Sequence, residues 1–198
     1  VHRLGNVDRA DAAKLKEAGI QSLGSVEPLT SVKWVNLRGP STDGLDIAEL
    51  SRLEVEHRRS IWKRVQQLRQ TPGGEKLFLL QTAPQLGVRI SRLLAGTHQL
   101  TYAESREGKK FPDTIAVGGA QNAQHRGWPI PYGVMVPKKL DNLLAAGRCV
   151  CVDEALIEDM RLIATCLLTG HAAGAAAAQS VQDKCRPRDV DLPKLQNL

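Results

Sequence analysis

Apolar residues recur along this chain with two different periods, and the change of period separates helical from extended stretches. The longest helical stripe joins Ile47, Leu50, Leu53, Ile61, Val65 and Leu68. Steps of three and four put these side chains on one face of a helix. Asp46, followed three residues later by Glu49, marks its start as a capping-box variant, and Pro72-Gly73-Gly74 stops it. Arg and Glu fill the other faces, so an amphipathic helix covering a sheet is expected. A shorter helix is predicted earlier from Ala12, Leu15 and Ala18, with Asp8 as N-cap, Asp11 in the first turn and Gly19 as the stop. Alternation with period two predicts a strand over 31–37 (SVKWVNL), followed by a loop from Gly39 to Gly44. Leu77 to Leu80 is a short apolar strand candidate. In 87–92 (GVRISR) apolar and basic residues alternate, so a strand there sets Arg89 opposite Ile90, whereas Arg92 shares the face of Ile90.

The second half is richer in turns. Thr101 and Glu104 cap a short helical turn, and Phe111-Pro112-Asp113 leads into a strand from Thr114 to Val117 that two glycines end. Pro129 and Pro131 hold the backbone between them extended. Leu143-Leu144-Ala145-Ala146 is a short apolar run halted by Gly147, the pattern of a buried strand. Beyond an acidic connector, residues 162–179 hold no proline and many alanines, so they form a helix. Gly170 and Gly174 leave one of its faces without bulk, open to close approach by a backbone or a flat ligand. A strand, a glycine turn and a small-faced helix make the corner where nucleotide cofactors sit in α/β proteins. An alanine-rich core helix beside any sheet satisfies the same pattern.

Composition narrows the classes. The 198 residues are 42% hydrophobic and 24% charged, enough for one domain or one and a half with a real core. No apolar run approaches the roughly 20 residues of a membrane span. The polar opening VHRLGNVDRAD is no signal peptide, and a cytoplasmic location is expected. A first residue of valine suggests part of a longer or processed polypeptide. Net charge is +6, but Lys and Arg are scattered and aromatics make up only 4%, which favours a solvated basic surface over a base-stacking nucleic-acid platform. Cys149, Cys151, Cys166 and Cys185 lack the spacing of a zinc site or a two-residue-gap redox pair, so all four read as reduced thiols and no metal is expected.

Two runs carry a resemblance: IPYGVMVPKKLDNLLAAGRC (130–149), and then IATCLLTGHAAGAAAA (163–178). Together they resemble the C-terminal signature of FAD-dependent oxidoreductases of the glutathione-reductase type, a group that includes fumarate reductase flavoproteins and glucose-inhibited division protein A. Upstream, NLRGPSTDGLDIAELSRLEVEHRR, LGVRISRLLAGTHQLT and GKKFPDTIAVGG resemble blocks of one bacterial subgroup in the same order, so the likeness spans roughly 36–195. The resemblance implies an α/β fold: a substrate-domain β-sheet with helices, then the last strand and C-terminal helix of an FAD-binding Rossmann-like domain. It implies a substrate or cap portion over 1–130, a cofactor-domain segment over 131–182 and a tail over 183–198. FAD is the implied cofactor. Gly147 and Arg148 match the end of the family's last strand, beside the flavin. Arg161, Leu162, Ile163, Ala164 and Thr165 match the loop entering the last helix, with Gly170 on the small face. Backbone amides there, with the helix dipole behind them, favour the negative charge of a reduced flavin. Arg89 is a candidate for substrate contact, and as readily a salt-bridge partner.

The chain also departs from the family. His125 is the histidine best suited to proton transfer or substrate contact, but Ala123 stands where the subgroup has an aspartate. In the connector Cys151, Asp153 and Glu154 replace a serine and a threonine-histidine pair. Glu154 thus takes the place of the substrate-facing histidine, as a candidate general base or as part of a solvated acidic turn. No Gly-x-Gly-x-x-Gly occurs, so the half that binds the FAD pyrophosphate is absent from this sequence. That half is expected either in the same polypeptide or in a partner subunit, beside a small-molecule substrate; an oligomer is possible. The first reading is therefore the C-terminal part of a hydride-transferring FAD enzyme. A non-catalytic subunit or degenerate remnant kept for assembly, and a basic RNA-binding module, stand as alternatives.

Overall fold

The computed structural model describes residues 1–26, 31–118 and 127–197. The chain divides into two compact units, Val1–Ser91 and Arg92–Leu198.

In the first unit, strands β1 (His2–Gly5), β2 (Ser25–Val26), β3 (Lys33–Val35) and β4 (Phe78–Thr82) form one antiparallel sheet in the order β2-β3-β1-β4. His2 pairs with Val35 and Leu4 with Lys33, and the β1–β4 register shifts between Arg3 and Leu4. Helix α2 (Ile47–Gln70) is capped as the sequence predicts, the Asp46 carboxylate accepting the Glu49 amide at 3.0 Å. Its stripe is buried at Leu53, Ile61, Val65 and Leu68, but Ile47 is 79% exposed, so the helix meets the sheet only beyond its first turn. Leu4, Val35, Ile61, Val65, Leu68 and Leu77 close the core. Each contributes about 1.5–3 kcal/mol relative to exposure.

Two expectations in this unit are corrected. Helix α1 (Ala12–Glu17) is capped by Asp11, whose Oδ1 accepts the Ala13 and Lys14 amides at 3.1 and 3.2 Å. Asp8 lies instead in a 3₁₀ turn, Val7–Arg9, entered through Asn6 at φ 59°. Residues 87–90 are not a strand, and Arg89 lies on exposed irregular backbone. The alternation was genuine, but a strand also needs a second backbone to pair with, and no described residue forms a ladder with 87–90.

The second unit holds α3 (Tyr102–Glu107), the antiparallel pair β5 (Thr114–Gly118) and β6 (Trp128–Pro131), then α4 (Ile157–Met160), α5 (Ile163–Gln182) and α6 (Leu192–Gln196). The Thr101–Glu104 capping box is complete, and Gly108 ends α3 in the left-handed region. Helix α5 packs against β5 and the 147–149 turn, and α6 packs on both α5 and β5. Leu100, Ile130, Val134, Met135, Val150, Val152, Leu156 and Met160 are fully buried. The architecture is thus mixed α/β with small antiparallel sheets.

The apolar run before Gly147 does not form a strand. Leu143 is 46% exposed, and a single rung joins the Ala145 N–H to the Met135 carbonyl at 2.9 Å. Met135 ends the 3₁₀ turn Tyr132–Val134, so its backbone is αR and cannot continue a ladder.

Candidate functional site

The site grows from the acidic connector. Asp153 opens it: the backbone N–H bonds the Leu100 carbonyl, Oδ2 accepts the Tyr102 amide at 2.7 Å, and Oδ1 accepts the Leu156 amide at 2.9 Å. Leu156, Ile157 and Met160 then turn inward. The connector is therefore amphipathic, with only part of its acidic surface solvated. Glu158 pairs with Arg161, whose side chain is 23% exposed.

At Leu162 the backbone is extended and α5 begins without a side-chain cap. No described residue accepts the amides of Ile163, Ala164 or Thr165, although Ile163 is 81% exposed and Ala164 is also exposed. Uncapped amides over a 20-residue helix carry the positive end of its dipole. The Thr165 side chain itself is buried and its hydroxyl donates to the Asp159 carbonyl at 3.1 Å.

Beside this helix end lies the 3₁₀ turn Gly147–Cys149. Gly147 sits at φ 76°, a region glycine enters without strain. Its N–H donates to Thr169 Oγ1 at 3.0 Å, and the buried Thr169 hydroxyl is itself held among the Thr165 and Cys166 carbonyls. The turn is thereby pinned to α5. Arg148 projects exposed from it, with no ion pair among the described residues. Away from the buried Thr165, Thr169, Ala172 and Ala176, helix α5 presents Ile163, Leu167, Gly170, Gly174 and Val181 to solvent. A Cβ added at Gly170 or Gly174 would meet nothing within 4 Å.

The profile of the family described as FAD dependent oxidoreductase matches residues 7–198. The chain belongs to that family. FAD is the cofactor of FAD dependent oxidoreductases, so this is a flavoprotein oxidoreductase domain. Searches of curated proteins and of solved structures returned no significant match. No single helix among the described residues is long and apolar enough to cross a membrane. Among them, too, no three His, Cys, Asp or Glu side chains are grouped to hold a metal ion.

In this FAD dependent oxidoreductase the residues matched to the cofactor region lie on α5, on the connector before it and on the 147–149 turn packed against it. Ile163 and Ala164 open the uncapped end of α5, Gly147 packs on the same helix at Cys166 and Thr169, and Arg161, just before the helix, pairs with Glu158. These features suit an anionic, planar group: open amides, an exposed cation at Arg148 and a face without bulk. Of the residues proposed for chemistry, Glu154 is exposed at the start of the turn Glu154–Leu156, Arg89 belongs to the other unit, and His125 lies outside the described residues, as does Ala123. Two organising residues escaped the sequence reading, Asp153 as a double cap and Thr169 as the anchor of Gly147. The visible trace of the second is a hydroxyl pair four apart, Thr165 and Thr169, near the start of an alanine-rich helix.

Proposed function

We propose that the chain forms the C-terminal, flavin-contacting part of an FAD-dependent oxidoreductase that moves a hydride between an organic substrate and FAD. In this reading residues 1–130 serve the substrate side and 131–182 complete the cofactor domain, whose dinucleotide-binding half comes from elsewhere in the polypeptide or from a partner. The observation that carries it is the uncapped, exposed start of α5 beside the pinned Gly147 turn. The amides of Ile163 and Ala164 would hold the negative edge of the flavin ring, and Arg148 would neutralise charge nearby. Gly170 and Gly174 would let the partner half approach α5 closely. Bound FAD supplies a two-electron acceptor. Glu154 is the proposed proton acceptor, with Arg89 and His125 as substrate contacts.

The first-turn geometry offers a direct test. Leu162 is already extended at φ −67° and ψ 151°, so Ile163→Pro fits the backbone and deletes one amide donor without breaking the helix. Assembled with its dinucleotide-binding half, the Ile163→Pro protein should bind FAD about tenfold more weakly at unchanged thermal stability, for a charge-assisted hydrogen bond. Equal FAD affinity for the two proteins would remove the flavin from this helix end. A second reading, a non-catalytic assembly subunit, draws on the exposed apolar face of Ile163, Leu167 and Val181. It predicts an assembled, FAD-loaded protein without turnover.

A further inference from the structure

Far along α2, the first unit carries two adjoining clefts that share Arg64 as a wall. The larger, about 540 Å³, also takes in Lys63, Ser60 and Gln67, with Ile20 and Leu68 as its apolar part. The smaller, about 400 Å³, adds Asn36 and the tight turn at Gly24, and among the described residues no carboxylate lines either one. Gly24 stands at φ 125°, where a Cβ would lie 2.3 Å from the Trp34 carbonyl oxygen. That wall is therefore a close backbone approach that only glycine permits.

Charge along α2 is sorted by position. Its acidic residues Glu49, Glu54 and Glu56 come early and are taken by Arg52 and Arg58. From Arg58 to Gln70 there are only basic charges: Arg58, Arg59, Lys63, Arg64 and Arg69. Neither Lys63 nor Arg64 has an ion-pair partner among the described residues, and the side chains of Ser60, Gln67 and Asn36 make no hydrogen bond there. A basic helix face is ordinarily just solvated. Here Arg64 also stands close to His2, which is 1% exposed and has no hydrogen-bond partner at either ring nitrogen among the described residues. Burial first, then the amino terminus and the Arg64 charge, hold that imidazole down at about 4. Among the described residues this guanidinium therefore acts on a buried imidazole and is paired with no carboxylate.

We propose that the clefts around Arg64 form an oxyanion site for the phosphate group of a small phosphorylated molecule. Adjacent Lys63 and Arg64 match a dianion better than a single carboxylate, since guanidinium and ammonium together meet two charges. Ser60 and Gln67 donate neutral hydrogen bonds. The larger cleft exceeds a bare phosphate, and its half-buried Ile20 receives the organic body. The site stands independently of the flavin reading, because none of its residues belongs to the second unit.

Inorganic phosphate and phenyl phosphate titrated into the full chain by calorimetry, with ionic strength held constant by NaCl, test the assignment. Saturable binding is expected, tighter for phenyl phosphate. Arg64→Ala and Lys63→Ala should each weaken it about tenfold, the size of one charged hydrogen bond. Arg69→Ala, on the same helix but outside both clefts, should leave it unchanged. Absence of saturation, or an equal loss with Arg69→Ala, overturns the site. Equal affinity for the two phosphates overturns the organic ligand. A response to polyuridylate alone would replace the cleft with a polyanion surface.

Discussion

The Asp153 carboxylate satisfies two backbone donors that no nearer group reaches, the Tyr102 amide at the start of α3 and the Leu156 amide in the connector. Replacing it leaves the Tyr102 amide unpaired and the Leu156 amide with only its longer bond, 3.3 Å, to the Asp153 carbonyl. Asp153→Ala should cost about 1–3 kcal/mol in urea denaturation, whereas Glu154→Ala, one residue on and exposed, should stay within about 0.5 kcal/mol. Glu104 gives a second residue-scale prediction. Burial would raise its carboxyl, but the Lys109 ammonium at 2.6 Å, the Thr101 amide and the His98 charge outweigh that and lower it to about 2. A carboxyl depressed in the folded state contributes stability that is complete above its unfolded value near 4.5 and is lost as pH falls towards about 2. Denaturation between these limits should show a steeper acid loss in the natural protein than in Glu104→Gln. The Thr101–Glu104 spacing exposed this cap in the sequence, because a capping box is local; Lys109 and His98 join it only through folding.

Helix α5 shows what an element keeps from its sequence and what it does not. Alanine content and the missing proline fix a helix wherever it packs, and the observed Ile163–Gln182 differs from the expected span by few residues. Its glycines separate by surroundings. Gly174 is exposed with open space around its Cβ position, so Gly174→Ala should stabilise the chain by up to about 1 kcal/mol in thermal denaturation. Gly24→Ala should instead destabilise by more than about 1–2 kcal/mol, from its positive φ and the clash with the Trp34 carbonyl. If Gly174→Ala also weakens FAD binding in the assembled protein, the small face serves close approach. The strands expected at 87–92 and 143–146 failed for one reason. Periodicity reports which faces are apolar, but a strand exists only when a second backbone answers its hydrogen bonds.

At the scale of the whole molecule, two units each carry a core of their own, joined where the backbone after Thr82 is irregular. Arg89 and Arg92 lie exposed on that segment, so brief trypsin digestion should cut there first and give two persistent fragments by mass spectrometry. Early cleavage within α2 or α5 would contradict the division. By itself the sequence determined the helices α1, α2, α3 and α5, the caps at Asp46 and Thr101 and the cofactor family, because each is written in neighbouring residues or in motifs of fixed order. Only the tertiary structure decided which apolar runs become strands, that Thr169 pins Gly147, and that Arg64 lies near the buried His2 imidazole and pairs with no acid among the described residues. Those outcomes depend on contacts between residues far apart in the chain, where burial and the pairing of backbone donors, and not local preference, select the conformation.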